Sequence, residues 1–251
     1  MTRPHVMIAP NGARRGKSDH PALPVTITET VKVAVACHAA GADALHLHIR
    51  DETGAHSLDP ARYRDALAAL QDCVPEMAVQ ITTESGGRFD VSDQLRALAD
   101  VKPASASIAI REIARSPDLI DRIYATCADQ DTQVQHILYD NRDAAVMQSW
   151  QNQGLVRSSQ RDVILVLGQY DPPVPAAPDM LEPRLKALPK DTPWSVCAFG
   201  ASEQGCLVHA AGLGGAVRVG FENNLCHPSG RAWNDMTEAV QSLRAATRTE
   251  T

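Results

Sequence analysis

Strand-like and helix-like segments alternate eight times along this chain, and that alternation limits the folds that the chain can adopt. The predicted strands are apolar and rich in β-branched residues, and turn-forming residues bound most of them. They lie at 5–10, 44–50, 77–83, 104–110, 133–139, 162–170, 194–200 and 216–222. The segments between them show helical spacing. It is clearest at 28–41, 59–72, 116–129 and 202–215.

Eight such units in 251 residues have the size and rhythm of an α/β fold of the (β/α)8 TIM barrel class. The strands read as continuous apolar runs, as parallel strands covered on both faces do. A doubly wound open sheet is the alternative, but it would carry a GxGxxG turn after the first strand, and "APNGARRGKSDHP" does not match. Because the sequence shows no internal repeat and no linker, we expect one barrel domain over residues 1–251.

Charge and hydropathy argue against several classes of partner. The formal net charge is −6, so there is no global basic field to hold nucleic acid. No apolar run reaches the roughly 18 residues that span a membrane, and the opening apolar stretch is too short for a signal peptide. The six cysteines are scattered, which is typical of reduced, buried thiols. We therefore expect a cytoplasmic protein without nucleic-acid or membrane partners.

Polar side chains are concentrated where predicted strands end, which is where such barrels place their chemistry. His46 and His48 are two apart in the second strand, so both can face the barrel axis. Arg218 and Glu222 share one face of the last strand by the same alternation. Since closure of the barrel brings the second and last strands near each other, we expect the histidines to approach Glu222.

Two imidazoles and one carboxylate form the ligand set of catalytic zinc, with positions left open for a substrate. The alternative is that the histidines are hydrogen-bonded interior residues and that Glu222 pairs only with Arg218. The spacing favours metal binding, because burying these three groups without an ion leaves costly polar atoms to satisfy.

Two further segments carry polar groups toward the same end of the predicted barrel. The third strand ends in "TTESGG" (82–87), whose hydroxyls and turn amides suit an anionic or carbonyl ligand, and whose single carboxylate is Glu84. The basic cluster "RRGK" (14–17) lies in the first strand-to-helix loop, where it can meet phosphates. Either segment can instead be an ordinary solvated turn.

Other barrel chemistries fit the sequence less well. None of the five lysines lies in or at the end of a predicted strand, which argues against a Schiff-base aldolase. A zinc amidohydrolase would carry its histidine pair on the first strand and add histidines on strands five and six. Strand five offers His136, but strand six ends in "GQYD" with none. The GxSxG turn of a serine hydrolase is also absent.

Together these residues resemble the β-keto acid cleavage enzyme family, which includes 3-keto-5-aminohexanoate cleavage enzyme. The shared segments run nearly end to end. They are "NGARRGKSDHPALPVT", "GADALHLHIRD", "QITTE", "WSVCAFG" and "GGAVRVGFENNL". The pair of HxHxRD and RVGxE elements is specific, whereas either one alone would be weak.

The resemblance implies zinc, or another divalent metal, bound by His46, His48 and Glu222. It also implies condensation of a β-keto acid with acetyl-CoA, as co-substrate, to give acetoacetate and a new acyl-CoA. Arg218 matches the family arginine that orients the base, and members of the family are usually oligomeric, so a homodimer or homotetramer is expected. Three more residues fall in segments that line the family pocket, namely Thr82, Thr83 and Ser105.

One position departs from the family pattern. The family base is an aspartate directly after the zinc-binding glutamate, and here that residue is Asn223, a neutral amide that cannot remove a proton. Our hypothesis is that Glu84 is the base while Arg218 and Asn223 hold the substrate. Asn11 and Arg14, in the first loop, would favour a neutral or acidic substrate side chain over an amine.

The asparagine leaves two alternatives open. One is a metal-dependent hydrolase or lyase that acts on a keto acid without CoA. The other is a non-catalytic barrel that binds keto acids. Consumption of acetyl-CoA separates the first alternative from acyl exchange, and metal-dependent turnover of any β-keto acid excludes the second.

Overall fold

The structure is a computed structural model, and it describes residues 3–169 and 172–248. Eight parallel strands close into a barrel, and the first strand pairs on one side with the last strand of the chain. This closure confirms the TIM barrel prediction and excludes the open doubly wound sheet. The predicted domain boundaries, 1–251, extend beyond the described residues and stay a prediction.

All eight predicted strands are present, mostly shortened at one or both ends. In chain order, the strands are β1 (Val6–Ile8), β2 (Ala44–Leu47), β3 (Ile49–Arg50), β4 (His56–Ser57), β5 (Ala78–Thr82), β6 (Ser105–Ala109), β7 (Gln133–Leu138), β8 (Asp162–Leu167), β9 (Trp194–Ala198) and β10 (Ala216–Val219). β3 and β4 form a separate antiparallel pair, and the other eight build the barrel. Tyr170, the end of the sixth predicted strand, lies outside the described residues.

Helices cover the barrel between the strands. They are α1 (Ile27–Ala39), α2 (Pro60–Cys73), α3 (Val91–Val101), α4 (Ile110–Ile113), α5 (Ile120–Asp129), α6 (Asn141–Asn152), α7 (Leu181–Leu185), α8 (Glu203–Gly212) and α9 (Met236–Arg248). The predicted helix 116–129 is divided, because a 3-10 turn at Pro117–Leu119 precedes α5. Local capping explains several of the starts: the Asp59 side chain accepts from the amide of Arg62 at the start of α2.

The second predicted strand, 44–50, ends early, at Leu47. The carbonyl of His48 accepts a hydrogen bond from the Asn11 side-chain amide at 3.2 Å. The Asp51 carboxylate then accepts from the backbone amides of Thr53 and Ala55, which closes a turn and returns the chain as β4. The histidine pair therefore lies where the strand changes into this hairpin.

The last predicted strand, 216–222, ends at Val219, so Glu222 does not reach Arg218 by strand alternation as predicted. The next residue, Gly220, packs against β1 so closely that a Cβ there would lie 2.1 Å from the Ala9 carbonyl oxygen. The chain turns at this glycine, and the Glu222 amide donates to the same oxygen at 3.1 Å. The turn brings Glu222 back to the face that carries Arg218.

Replacing Gly220 with alanine is expected to lower the free energy of unfolding by about 3 kcal/mol, the upper end for an overpacked site. The added methyl meets the Ala9 backbone, which cannot move aside as a side chain can. Urea denaturation measures the effect. Gly205→Ala is the matched control, because nothing lies within 4 Å of its Cβ position. A Gly220→Ala protein as stable as wild type would contradict this account.

Among the described residues, no helix combines the length and the apolar character that crossing a membrane requires. The cytoplasmic location and the dimeric or tetrameric state stay predictions.

Candidate metal centre

Two imidazoles and one carboxylate converge at the carboxyl end of the barrel. The Nε2 atoms of His46 and His48 are 3.2 Å apart. Glu222 places one carboxylate oxygen 3.9 Å from Nε2 of His46 and the other 3.6 Å from Nε2 of His48. One ligand atom from each residue lies within 4.8 Å of the others. The structure thus brings together the three residues that the sequence marked as metal ligands.

The charge states of these groups suit a cation. Burial and the Arg218 charge hold the pKa of His46 well below its usual range, so its ring is neutral. Burial alone would raise the pKa of Glu222, but Arg218 and the two histidines lower it well below its usual range. A metal ligand must be a neutral imidazole or an ionised carboxylate, so this donor set fits a divalent metal such as zinc.

Glu84 lies beside the cluster, directly after β5. One of its carboxylate oxygens is 3.9 Å from Nε2 of His48. Its backbone is fixed on both sides, because its amide donates to the Thr82 hydroxyl and its carbonyl accepts from Nε2 of His56. Burial raises the pKa of Glu84; His48 opposes that shift and Glu222 adds to it. Glu84 is therefore no solvated turn residue.

Arg218, on β10, approaches the same Glu222 carboxylate oxygen as His48. Its Nη2 is 3.6 Å from the Glu222 carboxylate and 3.5 Å from the Cys197 sulfur. The residue is only 4% exposed. No acceptor in the described part of the chain receives a hydrogen bond from its Nε or Nη1. A buried guanidinium whose N–H groups are not all engaged is suited to bind an oxyanion or a carboxylate ligand.

A cavity of about 260 Å³ opens next to these groups. Arg218, Glu222, His46, Glu84 and Thr82 line its inner end. Farther out, it is lined by Arg14, Arg15, Arg111, Glu112 and Tyr139. Three of these outer residues are arginines, and one of them, Arg111, is paired with the carboxylates of Asp140 and Asp143 at 3.3 and 2.8 Å.

Arg50, the arginine of the HxHxRD element, braces the loop at the cavity mouth. Its guanidinium donates to the carbonyls of Gly12, Ala13 and Arg15. Burial lowers the pKa of Arg50, and the nearby carboxylates of Glu84 and Asp51 oppose that effect. The segment that carries the two candidate ligand histidines therefore also holds the first loop in place.

A buried carboxyl group, Glu203 at the start of α8, holds the turn that carries Glu222. It accepts from the Gly220 amide at 3.0 Å and from the Asn224 side-chain amide at 3.3 Å. Burial raises the pKa of Glu203 to about 8, and these hydrogen bonds reduce the shift only in part.

Because the ordinary glutamate pKa is 4.5, folded Glu203 holds a proton that the unfolded chain has released between pH 4.5 and about 8. The free energy of unfolding therefore falls through this window as the pH rises. Glutamine cannot lose a proton, so the free energy of unfolding of Glu203→Gln should lack this fall. The difference in unfolding free energy between variant and wild type should therefore shift in favour of the variant as the pH approaches 8. Urea denaturation of both proteins across the window measures the difference, and parallel pH profiles would contradict the assignment.

Three predicted substrate residues lie in different places from those expected, and a fourth, Asn11, lines the cavity with its amide nitrogen already engaged. Ser105 begins β6, so it lies at the amino end of the barrel and lines a different cavity; its placement in the pocket was wrong. The Thr83 hydroxyl donates to the Ser107 carbonyl, away from the cavity.

Asn223 is fully buried and is not among the described residues that line the cavity. Asn11 lines it, but its amide nitrogen is occupied by the carbonyls of Pro24 and His48.

The basic cluster is also divided by the structure. Arg14 is exposed at the cavity mouth, as predicted, and Arg15 reaches back to donate to the Phe221 carbonyl at 2.6 Å. Lys17 pairs with Glu29 at 2.7 Å instead of facing the cavity.

Sequence reasoning missed several residues of the site. Gln80 accepts from Nδ1 of His46 at 2.8 Å, and it precedes the "TTE" segment by one strand alternation. Glu112 is a third cavity carboxyl group, besides Glu84 and Glu222; burial raises its pKa to about 7. Arg111 stacks on Tyr139, with its guanidinium carbon 4.2 Å from the ring centre. Arg111 and Glu112 follow β6 directly, so strand-end position was the signal that would have identified them.

The fold and the cluster define the class of this protein: a (β/α)8 barrel with a candidate two-histidine, one-glutamate metal centre at the carboxyl ends of its strands. Within that class, a family model described as beta-keto acid cleavage enzyme matches residues 5–250. The chain belongs to the β-keto acid cleavage enzyme family, which confirms the resemblance.

Curated relatives cover most of the chain at low identity. The 3-oxoadipate:acetyl-CoA acetyltransferase of Cupriavidus necator is 25% identical over 236 residues, which are 90% of this chain and 82% of the relative. The 3-keto-5-aminohexanoate cleavage enzyme of Fusobacterium nucleatum is 25% identical over 223 residues, 85% of this chain and 80% of the relative.

Among solved structures, the ternary complex of ObcA with C4-CoA adduct and oxalate has a TM-score of 0.74 at 18% identity. The match covers 92% of this chain but only 64% of that one, so the chain spans less than two thirds of ObcA. The 3-dehydroquinate dehydratase of Geobacillus kaustophilus matches at a TM-score of 0.63 and 11% identity, over 99% of this chain and 91% of that one. At these identities both likenesses show the barrel fold alone.

Proposed function

We propose that this chain transfers an acyl group from a β-keto acid to CoA, using acetyl-CoA and releasing acetoacetate. A divalent metal, with zinc as the first choice, would be held by His46, His48 and Glu222. The observation that carries the proposal is the convergence of those three side chains beside Glu84 and Arg218 at one cavity. Family membership and the names of the two curated relatives support the same reaction.

The metal, when bound, would act as a Lewis acid on the keto oxygen and make the neighbouring α-carbon more acidic. The protein must then supply a base for the α-proton. Glu84 is suited to this step, because its carboxylate lies 3.9 Å from a metal-ligand nitrogen and also lines the cavity. Asn223 is fully buried and is not among the described residues that line the cavity, so we assign the base to Glu84 and not to this position.

The proposed sequence of bonds balances with one proton shuttled by Glu84. Glu84 takes the α-proton, the α-carbon attacks the acetyl carbonyl of acetyl-CoA, and the CoA sulfur leaves. That sulfur then attacks the original keto carbon, and the bond between the keto carbon and the α-carbon breaks. The electrons of this bond return to the α-carbon, which recovers its proton from Glu84. The products are acetoacetate and the new acyl-CoA.

Arg218 would bind the carboxylate of the β-keto acid or the oxygen on which negative charge develops. Its Nε and Nη1 have no acceptor in the described part of the chain, and the residue lines the inner end of the cavity. A charge-assisted hydrogen bond in a buried site is stronger than one in water, so this contact would hold the substrate in place.

The cavity mouth favours an acidic acyl chain over an amine. Arg14 and Arg15 line it, and a positively charged substrate group would be repelled there. A dicarboxylic β-keto acid such as 3-oxoadipate, the substrate in the name of one relative, would place its second carboxylate among these arginines.

The test is a coupled assay with purified protein, zinc and a panel of β-keto acids, with and without acetyl-CoA. We expect acetoacetate and a new acyl-CoA, detected by mass spectrometry, only when both substrates are present, with 3-oxoadipate used better than an amino-substituted β-keto acid. A chelator should stop the reaction, and added zinc should restore it.

Two results would replace this proposal by one of the alternatives. Loss of the β-keto acid without acetyl-CoA would identify a metal-dependent hydrolase or lyase. Binding of β-keto acids with no turnover under any metal condition would identify a non-catalytic binding barrel.

A further inference from the structure

A chain of buried polar side chains runs from the candidate metal centre toward the opposite end of the barrel. Nδ1 of His46 meets Oε1 of Gln80 at 2.8 Å, and Nε2 of Gln80 donates to Oε1 of Gln135 at 3.3 Å. Nε2 of Gln135 donates to the Ser195 hydroxyl at 3.2 Å and to the Asp162 carboxylate at 3.3 Å. The Ser195 hydroxyl donates to the Val163 carbonyl at 3.3 Å. We call Gln80, Gln135 and Ser195 the amide relay.

The direction of every hydrogen bond in the relay follows from its far end. A backbone carbonyl only accepts, so the Ser195 hydroxyl donates its hydrogen bond to the Val163 carbonyl. The Ser195 oxygen can then act only as an acceptor toward Gln135. Gln135 must therefore turn its NH2 group toward Ser195 and its oxygen toward Gln80. Gln80 must in turn direct its NH2 toward Gln135.

The last bond in this chain decides the tautomer of His46. Because Gln80 directs its oxygen toward His46, Nδ1 of His46 must carry the proton and donate it. The Nε2 atom of His46 is then unprotonated, and this is the atom that faces His48 and Glu222. In the metal-free protein it accepts a hydrogen bond from Nε2 of His48 at 3.2 Å. Nδ1 of His48 has no hydrogen-bond partner in the described part of the chain, so no residue there holds that nitrogen protonated.

We propose that Gln80 and Gln135 are positioning residues that lock His46 in the tautomer required of a metal ligand, with Ser195 and the Val163 carbonyl as the anchor. This inference rests on the metal centre proposed above. Its particular claim concerns Gln135, which touches none of the three ligands and yet sets the donor properties of one of them through Gln80. Residues that hold a metal ligand in this way typically alter metal affinity when they are replaced.

The variants Gln80→Met and Gln135→Met test the relay. Methionine preserves the length of the side chain and removes both the amide oxygen and the amide NH2. Gln133→Met is the matched control. Gln133 lies two residues earlier on β7, is exposed, and lines the same amino-terminal cavity without being part of the relay. Zinc affinity is measured by competition with a chelating dye on the full-length chain.

The second measurement is the 15N NMR spectrum of the histidine rings in metal-free protein, with His46 assigned by its loss in His46→Asn. We expect the wild type and Gln133→Met to show Nδ1 of His46 protonated. In Gln80→Met and Gln135→Met, we expect the proton to be distributed over both ring nitrogens. A general loss of packing would not produce this specific change.

We expect zinc affinity to fall about 10- to 100-fold in Gln80→Met and about tenfold in Gln135→Met, with no change in the control. A Gln135→Met protein with wild-type zinc affinity and a fully Nδ1-protonated His46 would overturn the relay. If wild-type protein bound no divalent metal, the proposed metal centre would fail instead. The NMR comparison of metal-free proteins would then still decide whether the relay sets the tautomer.

Discussion

Replacing His48 with alanine is expected to remove metal binding and turnover together. Its Nε2 lies 3.2 Å from Nε2 of His46 and 3.6 Å from the Glu222 carboxylate, so its loss opens one side of a three-ligand set. Lewis-acid assistance lowers the activation free energy of such a reaction by several kcal/mol. Because each 1.36 kcal/mol is tenfold in rate, kcat should fall by on the order of 10³-fold or more.

Metal analysis of the purified variant, together with the acetyl-CoA-dependent assay, checks this result. His5→Ala is the control, because His5 is exposed near the amino end of the barrel and should leave both quantities unchanged. A His48→Ala protein that retained stoichiometric zinc and substantial turnover would rule out the proposed ligand set.

Glu84→Gln should separate the chemistry from metal binding. The amide has nearly the shape of the carboxylate but cannot take a proton, so we expect zinc to remain bound while kcat falls by about 10²- to 10⁴-fold. Loss of the α-proton can be followed directly by exchange of the β-keto acid α-hydrogen with deuterated water. That exchange should be suppressed even in the absence of acetyl-CoA.

The matched control for this variant is Glu112→Gln, which makes the same change at a cavity carboxyl group outside the proposed ligand set. Its carboxylate accepts hydrogen bonds from the Ser85 amide and from Gln94, so it is held against the protein and we expect the smaller loss. Near-normal turnover of Glu84→Gln with metal bound would exclude Glu84 as the base, and a larger loss in Glu112→Gln would move that role to Glu112.

The barrel could be predicted from sequence because its signal is repeated eight times. Each apolar run and each capped helix adds to the same conclusion, and errors of a few residues at the ends do not change the topology. The histidine pair was equally visible, since polar residues at alternate positions of a buried strand need a reason to be there.

The other members of the site depended on where each strand ends, which periodicity does not define. Ser105 was placed in the pocket because its segment lines the pocket of the family, yet it begins its strand and therefore lies at the amino end. Glu222 reaches Arg218 through a turn at Gly220 that the sequence pattern did not distinguish from a continued strand.

The amide relay could not be predicted because it depends on contacts between strands. Gln80 and Gln135 lie on β5 and β7, and they meet across the interior of the barrel. In the sequence, Gln80 is a polar residue in an apolar run and Gln135 lies between Gln133 and His136. Either glutamine is just as compatible with a face that packs against a helix. The register of the closed barrel decides which of them face each other.

The meeting of β1 with β10 has a consequence for how the protein is made. The two histidines are encoded early in the chain and Glu222 near its end, so the ligand set comes together only after the last strand has joined the first. A partly synthesised chain cannot hold an ion that requires all three groups. Because such an ion binds only the completed fold, it would stabilise that fold by mass action. During refolding, the appearance of bound ion would report when the barrel has closed.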